Sequence, residues 1–438
     1  MRARSALLLA ALVALAGCLA PATEEAAPTG TGDGDAEGLV TELRALIDGL
    51  PCDVPLSAAG EVTAGMTENL RGVAADELAS LGTEANHGEL WIHGDLAFVA
   101  RYSTGGVDIV DVSDPRAPRH LSFWDPEQTD RGLDVKTTAD GLTAIVGGDR
   151  SIKLVNVQNP LEPVLEFEHV FGKAQAHMVT VFPVNGLEYV AAAKAEGSDL
   201  VIYRIDGTPG NRTLEAVSSP KLTLLGNPTG EGLLQTHDMS FLNDSLLGKP
   251  TLWLANVWDG IVALDVSDPA NPVEISRIPS LDPYQGYTHT VQTVIRGDQR
   301  LTVSVAEVGV NGMKFYDTTD LANPRLLAFW SHPVAALPQH NLQLVGDYAY
   351  VAHYQQGLYV FNLSDLPQGP VPMRHGPMGH LPAADDGSQG SGPGSAFSGT
   401  WDVVVSKGLV YTSDIDKGLR VTAFGCLLPG DPQGTSTT

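Results

Sequence analysis

The sequence predicts an all-β fold: a seven-bladed β-propeller of four-stranded blades, closed by an N-terminal strand and preceded by a short N-terminal helix. A strand-like segment recurs along the chain, and seven other segments have the pattern expected of the inner strand of a blade. The 47 glycines and 29 prolines indicate many short turns. With 438 residues, 43% of them hydrophobic, the chain can bury a large core.

The recurring segment is clearest in Val107–Pro115 and Ile261–Pro269, which both end in Asp-Val-Ser-Asp-Pro. Weaker copies begin at Ile152, Leu200, Met313 and Leu358. The steps are 45, 48, 61, 52 and 45 residues between the matched positions Asp111, Asn156, Arg204, Asp265, Asp317 and Asn362. A period of about 40 to 60 residues made of strands is typical of propeller blades, each a four-stranded sheet.

Blade one shows the expected order of elements. Its strands, from inner to outer, are predicted at Glu89–His93, Leu96–Tyr102, Val107–Val112 and Arg119–Trp124. Ser113–Pro115 favours a turn, because short polar side chains bond nearby backbone N–H groups and proline fixes φ. A calcium loop is the alternative for this motif, but it has too few acidic residues for a calcium cage.

The seventh blade lacks an outer strand of its own. The seven inner strands are expected to begin near His87, Leu133, His177, His237, His289, His340 and Trp401. The last blade has three strand segments and then runs into proline and glycine. Asn69–Val73 has no blade of its own and is predicted to supply the missing strand. This pairing would close the ring and leave no open edge between the first and last blades.

The N-terminus predicts export and lipid attachment. A short apolar stretch follows two arginines, and the sequence LAGC at Leu15–Cys18 resembles a prokaryotic lipobox, in which the cysteine receives lipid. Residues 1–17 are therefore predicted to be a signal peptide, and residues 18–38 an acidic flexible tether attached through Cys18. An ordinary signal peptide with an incidental cysteine is the alternative.

The remaining segments complete the domain organisation. Residues 39–66 are predicted to hold a short helix and a connector, because apolar residues recur at helical spacing at Leu39, Leu43, Leu46, Ile47 and Leu50. Residues 67–426 form the propeller in this interpretation, and residues 427–438 form a disordered tail.

Two of the three cysteines flank the repeats. Cys52 precedes them and Cys426 follows them, and an exported protein lies in an oxidising compartment. A Cys52–Cys426 disulfide that locks the ring closure is expected. Two free, buried thiols are the alternative.

The repeat units resemble LVIVD repeats, which occur in bacterial and archaeal cell-surface β-propellers. The resemblance covers roughly residues 86–425, with units one and four strong and unit three loose and enlarged. It implies the fold and a cell-surface lipoprotein. It implies little about activity, because fold does not fix function.

Polar residues are expected to surround one mouth of the axial channel, because inner strands line that channel and each second strand runs back to the same face. The inner strands contribute five histidines at their starts, His87, His177, His237, His289 and His340. Asp134 and Asp402 occupy this place in the other two blades. The second strands end at Arg101, Lys194, Asn256, Glu307 and His353. The candidate ligand-binding residues at this mouth are Arg101, Asp134, Asn256, Glu307, His353 and Asp402.

Metal binding is one hypothesis for the repeated histidines. Imidazoles near carboxylates suit Zn²⁺ or Cu²⁺, and the candidate ligands are His177, His237, His289 and His340. A similar arrangement operates in the selenium-binding and methanethiol oxidase propellers, which resemble this chain in fold only. The alternative is that one ancestral histidine was copied with the repeat and bonds the backbone of the neighbouring blade.

A second possible copper site is the Met373–His380 segment, in which thioethers and imidazoles cluster. A connecting loop with incidental ligands is the favoured interpretation of this segment. The sequence contains no Gly-x-Ser-x-Gly, His-Glu-x-x-His, Walker or Cys-x-x-Cys motif.

The function predicted from these features is a lipid-anchored binding or protein-interaction module on the cell surface. The alternative is a metal-dependent enzyme, an oxidoreductase or hydrolase, with a histidine-lined axial site. The net charge is −26, and removal of residues 1–17 leaves 24 basic and 52 acidic side chains, a charge of −28. This charge argues against nucleic acid as a partner. The expected partners are the membrane, through lipid on Cys18, and an extracellular protein or small molecule bound by a monomer.

Overall fold

Seven β-sheets form a closed ring. The computed structural model describes residues 50, 52, 70–77, 87–124, 131–171, 175–193, 200–220, 236–257, 259–279, 288–307, 312–332, 339–367, 369–373, 377–381 and 398–426. These residues contain 29 strands, β1 to β29, and no helix. No helix among them is therefore long and apolar enough to cross a membrane.

Blades 1 to 4 follow the order of the chain, and within each blade the strands run from inner to outer. Blade 7 takes its outer strand from β1 (Leu70–Glu77). Blade 1 is β2 (His87–His93), β3 (Leu96–Arg101), β4 (Val107–Asp111) and β5 (Arg119–Trp124). Blade 2 is β6 (Gly132–Thr137), β7 (Thr143–Gly148), β8 (Ser151–Asn156) and β9 (Val164–Val170). Blade 3 is β10 (Val179–Val184), β11 (Leu187–Ala193), β12 (Leu200–Asp206) and β13 (Thr213–Ser218). Blade 4 is β14 (Thr236–Asp244), β15 (Lys249–Asn256), β16 (Gly260–Asp265) and β17 (Val273–Ile278).

The last three blades complete the ring. Blade 5 is β18 (Thr290–Arg296), β19 (Gln299–Val305), β20 (Met313–Asp317) and β21 (Arg325–Trp330). Blade 6 is β22 (Leu342–Val345), β23 (Tyr348–Ala352), β24 (Leu358–Asn362) and β26 (Gly379–Leu381), and β25 (Val371–Pro372) is added to blade 5. Blade 7 is β27 (Thr400–Ser406), β28 (Leu409–Asp414), β29 (Gly418–Phe424) and β1. Each inner strand contacts that of the next blade, and β27 contacts β2, which closes the ring.

Both predictions about the closure are confirmed. β1 pairs antiparallel with β29 from Leu70 opposite Phe424 to Glu77 opposite Gly418, so the N-terminal strand completes blade 7. Cys52 and Cys426 form a disulfide, with their Cα atoms 4.7 Å apart, beside this pairing. Such a bond restricts the unfolded chain and so stabilises the folded ring.

The predicted segments before the propeller and after it lie outside the described residues. These are the signal peptide, the tether with Cys18, the helix expected within 39–66 and the tail from 427 to 438. The exceptions are Cys52 and Leu50, and Leu50 packs against a hydrophobic cluster shared by blades 1 and 7.

Hydrophobic side chains fill the spaces between neighbouring blades. In β3, Phe98 and Ala100 pack towards blade 2, whereas Ala97 and Val99 pack towards blade 7. The alternation follows from the two-residue period of a strand. Because each blade is buried on both faces, the strands are rich in apolar residues throughout.

The Asp-x-Ser motif forms the turn that the sequence predicts. Asp111 accepts a hydrogen bond from the backbone N–H of Ser113 at 2.9 Å, and Asp114 accepts one from that of Arg116 at 3.0 Å. Equivalent bonds two residues along the chain are accepted by Asn156, Asp265, Asp317 and Asn362. In these repeats, a side-chain oxygen therefore stabilises the turn between the third and fourth strands.

The connection between the third and fourth strands of blade 6 differs from the loop expected there. Val371–Pro372 first pairs in parallel with β21 of blade 5, and Gly379–Leu381 then returns as the outer strand of blade 6. Met373 and Met378 are buried in two different hydrophobic clusters. Their thioethers have a packing role, and the segment links two blades.

Candidate functional site

A continuous series of rings lies at one mouth of the axial channel. We call this series the imidazole arc, and it consists of His177, His237, His289, His340 and the indole of Trp401. Successive ring centroids are separated by 4.3, 4.0, 4.3 and 4.2 Å. Five consecutive blades thus contribute one ring each, and Tyr102 of blade 1 extends the series at 5.1 Å from Trp401.

The backbone of the repeat places the histidines there. His177, His289 and His340 each lie one or two residues before an inner strand, and the N–H of each bonds to the end of its own second strand, at Ala193, Val305 or Ala352. Consequently the histidines of adjacent blades meet at the same depth in the channel. The arc follows from copying one repeat position around the ring.

The Nδ1 atoms of two arc histidines join neighbouring blades. Nδ1 of His289 lies 3.1 Å from the carbonyl oxygen of His340, and Nδ1 of His340 lies 2.7 Å from that of Trp401. This contact is the inter-blade bond expected of a structural histidine. Burial lowers the pKa of His340 to about 3, and the neighbouring His289 contributes to this lowering, so the His340 ring is neutral.

Three of the side chains at the mouth bring potential metal ligands together. Ligand atoms of His237, His289 and Glu307 all lie within 4.8 Å of one another. Nε2 of His289 is 3.6 Å from Oε2 of Glu307, and Nε2 of His237 is 2.8 Å from Nε2 of His177. The donor set combines imidazole nitrogen and carboxylate oxygen, which suits zinc or copper.

Tyr354 holds the carboxylate of this group. Its hydroxyl donates a 2.6 Å hydrogen bond to Oε1 of Glu307, and its ring packs 5.0 Å from that of His340. The backbone of Tyr354 has φ of 45°, a left-handed conformation unusual for a bulky residue. Two hydrogen bonds with Thr400 of blade 7 hold it there. Gly399 is required beside it, because a Cβ at that position would lie 2.4 Å from the Tyr354 carbonyl oxygen.

Buried carboxylates lie next to the arc and connect the blades. Asp134 accepts a hydrogen bond from the backbone N–H of Val179 in blade 3 at 2.7 Å. Asp402 accepts one from that of Leu90 in blade 1 at 2.8 Å. These two predicted channel residues therefore join neighbouring inner strands by hydrogen bonds.

Glu89 and Asp238 add two further acidic groups to the channel. Burial, together with the charge of Asp402, raises the pKa of Glu89 well above its ordinary value. Burial likewise raises the pKa of Asp238 to about 7. Trp401 donates to Glu89 at 2.9 Å, which links the arc to these carboxyl groups.

Lys136 supplies a positive charge within this part of the channel. Its ammonium group donates to Asp134 at 2.6 Å. Burial alone would lower the pKa of Lys136, but the carboxylates of Asp134 and Glu89 raise it to about 12. The lysine stays charged and partly neutralises the acidic channel.

Three predicted mouth residues have partners elsewhere. Arg101 makes two 2.6 Å bonds to the buried Asp108 within blade 1. Asn256 accepts a 2.9 Å bond from Thr236 within blade 4. His353 packs between blades 5 and 6, with its ring 5.1 Å from that of Tyr359, and burial lowers its pKa to about 3. Lys194 lies outside the described residues.

The position in the repeat identified the correct end of the blade but not the direction of each side chain. Glu307 faces the arc, whereas Arg101 is drawn to Asp108 by charge. Sequence reasoning missed Tyr354, Tyr102 and Arg131, and Arg131 donates to the Tyr102 hydroxyl at 2.7 Å. Tyr354 lies two residues after the second strand of blade 6, and no local pattern in the sequence marks it.

A cavity of about 1080 Å³ is lined mainly by the inner strands of blades 3 to 6, together with Trp91 and Lys136. Two of its lining residues are already used between blades. Gln292 accepts a hydrogen bond from the Leu344 N–H, and Gln343 accepts one from the Val405 N–H.

Comparison with known proteins identifies the repeat. The family model described as LVIVD repeat matches residues 86–122, 252–279 and 340–367, which lie in blades 1, 4 and 6. No curated protein matches the chain. The crystal structure of the computationally designed Ika8 protein is similar over 80% of this chain and 99% of that chain, with 11% sequence identity and a TM-score of 0.44. The family match confirms the resemblance expected from the sequence, and this chain contains LVIVD repeats and folds as a seven-bladed β-propeller.

Proposed function

We propose that this propeller is a lipid-anchored binding module on the outer face of the cell, with its ligand site at the mouth that carries the imidazole arc. The observation that carries the proposal is the convergence of rings from five consecutive blades on one place. Each blade could fold without its ring meeting the rings of the other blades, so folding alone does not explain this convergence. A converging set of polar groups at the channel mouth is the usual form of a small-ligand site.

The size of the site favours a small ligand over a protein surface at the arc itself. His289, His340 and Trp401 are buried. The more accessible groups, Tyr102 and Arg131, lie beside them and are linked to each other. A small molecule or ion would contact the buried rings, and a larger partner would be limited to the rim.

Export and anchoring are supported by two independent features. Leu15–Cys18 has the lipobox-like order of residues, with Cys18 as the lipid acceptor. Cys52 and Cys426 are joined in a disulfide, a bond typical of proteins outside the cytosol. The monomer, held by its acidic tether, would present the propeller away from the membrane.

Site-specific photocrosslinking tests where the ligand binds. A photoreactive phenylalanine replaces Tyr102 at the rim of the arc or, as the matched control, Phe329 on an outer strand of blade 5, 36% exposed. We expect a discrete adduct in whole cells from position 102 and none from position 329. Adducts from position 329 alone would place binding on the blade edges and contradict the axial site.

Replacement of Cys18 by Ser tests the anchor. We expect the wild-type protein in the membrane fraction and the variant in the soluble exported fraction. Membrane retention of the variant would show that the protein is held by other means. Cys426→Ser serves as a control that removes a cysteine without removing the lipid acceptor.

A metal-dependent enzyme is the second candidate function. It is favoured by one specific observation, the grouping of His237, His289 and Glu307. An oxidoreductase or a hydrolase of this kind would require an ion at this place. Metal binding at this place therefore has to be tested before any enzymatic activity.

A further inference from the structure

We infer that the arc mouth holds one divalent transition-metal ion of borderline softness, zinc or copper, bound by Nε2 of His237, Nε2 of His289 and a carboxylate oxygen of Glu307, with Nε2 of His177 as fourth ligand. The inference rests on the proposal that this mouth is the binding site, and it names the ligand. The sequence alone groups four histidines. The structure replaces His340 with Glu307.

The spacing of the ligand atoms agrees with this assignment. A tetrahedral ion with bonds of about 2.0–2.1 Å keeps its ligands about 3.3 Å apart. The separation from His289 to Glu307 is 3.6 Å, and the whole group lies within 4.8 Å. Small side-chain rotations bring these atoms to ligand distance. His177 places its Nε2 2.8 Å from Nε2 of His237, so a fourth nitrogen lies next to one member of the group.

The groups behind the ligands orient them as metal ligands are oriented. Nδ1 of His289 faces the backbone carbonyl of His340 at 3.1 Å, so the proton lies on Nδ1 and Nε2 presents its lone pair to the site. Oε1 of Glu307 is occupied by the Tyr354 hydroxyl at 2.6 Å, which leaves Oε2 towards His289. Both contacts are the outer-shell bonds that fix histidine and carboxylate ligands.

The charge at the site also favours a cation. The Glu307 side chain is only 14% exposed. Among the described residues its one ion-pair partner is His289, and neither lysine nor arginine is within reach. A mostly buried carboxylate beside imidazoles is a favourable place for a divalent ion, which supplies compensating positive charge. Nitrogen ligands favour zinc or copper over calcium or magnesium.

The structure also explains why His87 is not a ligand, although it occupies the same repeat position in blade 1. Nδ1 of His87 is 3.3 Å from the carbonyl oxygen of Ile415, and Nε2 is 3.8 Å from Asp108. Asp108 is itself engaged by Arg101 at 2.6 Å and His120 at 2.9 Å. The carboxylate facing this histidine is already neutralised, so no cation is needed.

The test is a metal titration of the full chain. The protein is stripped with chelator, returned to buffer and titrated separately with Zn²⁺, Cu²⁺ and Ca²⁺ by calorimetry. We expect one equivalent of Zn²⁺ or Cu²⁺ and no Ca²⁺. His289→Gln and Glu307→Gln are expected to weaken binding by more than about 100-fold, and Tyr354→Phe by about 10- to 100-fold. His87→Gln, the matched control, should bind within about threefold of wild type.

Two readouts separate ligation from folding. Each variant is checked by its thermal melt, and the Cu²⁺ complex is examined by electron paramagnetic resonance for the nitrogen hyperfine coupling of imidazole-bound copper. Absence of a stoichiometric ion in folded wild-type protein would overturn the inference, as would equal losses in His87→Gln and His289→Gln. If the ion fails to bind but crosslinking at position 102 succeeds, the binding module stands and its ligand is another small molecule.

Discussion

His87 and His289 occupy the same place in blades 1 and 5, yet their surroundings differ. Both are buried and precede or begin an inner strand, and both face a carboxylate, Asp108 or Glu307. Asp108 receives hydrogen bonds from Arg101 and His120 that, despite burial, hold its pKa below the ordinary value. Among the described residues, Glu307 accepts a hydrogen bond from the Tyr354 hydroxyl, and its Oε2 lies 3.6 Å from Nε2 of His289. The comparison teaches that the repeat copies the histidine but not the partners of the carboxylate that faces it. In the metal site inferred above, this difference separates a structural histidine from a ligand.

The largest expected difference between the two sites is in the loss of stability when Asp108 or Glu307 is neutralised. Asp108→Asn leaves Arg101, which is 2% exposed, without its ionised partner. We expect a loss of about 3–5 kcal/mol in the free energy of unfolding, measured in urea. Glu307→Gln removes a mostly buried charge that has no lysine or arginine partner among the described residues, so the metal-free protein should lose less than about 1 kcal/mol. Equal losses would mean that Glu307, like Asp108, is a structural ion-pair member.

The ring closure gives the next largest effect. Cys52→Ser combined with Cys426→Ser removes a crosslink between residues 374 positions apart, and we expect a loss of about 2–5 kcal/mol. The measurement is urea unfolding of oxidised wild type and of the double variant. Reduced wild type should match the double variant. If reduction leaves the stability unchanged, β1 and β29 hold the ring without help from the disulfide.

A variant of His340 tests whether this arc histidine has a structural role or a metal-binding role. His340→Phe keeps a ring in place but removes the bond to the Trp401 carbonyl, which is 2.7 Å long. A loss of about 1–3 kcal/mol in the free energy of unfolding is expected, because the carbonyl loses a buried donor. Metal affinity should remain within about tenfold of wild type. Complete loss of metal in a folded variant would make His340 a ligand and return the assignment to four histidines.

The pH dependence of stability is the smallest effect and concerns the channel next to the arc. Burial raises the pKa of Glu89 above its ordinary 4.5, so the folded state retains a proton that the unfolded state has released. The contribution of Glu89 to stability therefore falls as pH rises from about 4.5 through the raised pKa. Glu89→Gln should flatten the decline in melting temperature as the pH rises above about 4.5. An unchanged slope would assign the decline to other carboxyl groups.

The ring is well predicted from the sequence because every unit of a repeat obeys the same local physics. The turn motif ending in Asp114 and Pro115, the alternating strands and the missing seventh outer strand together specify the blade count and its closure. The Cys52–Cys426 bond follows from the same reasoning, since the two ends of a closed ring must meet.

The site is predicted less completely, for a physical reason. A repeat position fixes which end of the blade a residue occupies, and Glu307 and the four arc histidines lie close together at that end. The direction of a side chain depends on charges in neighbouring strands, so Arg101 turns to Asp108 instead of the channel. Tyr354 depends on a left-handed backbone held by another blade, and no local pattern in the sequence indicates it.

The most direct measurement of the central claim is anomalous X-ray diffraction from crystals of the zinc-loaded full chain, recorded on both sides of the zinc absorption edge. We predict one anomalous peak at the arc mouth, about 2.0–2.2 Å from Nε2 of His237, Nε2 of His289 and a carboxylate oxygen of Glu307. A map with no peak there, or with its only peak at another histidine cluster such as that around His353, would contradict it.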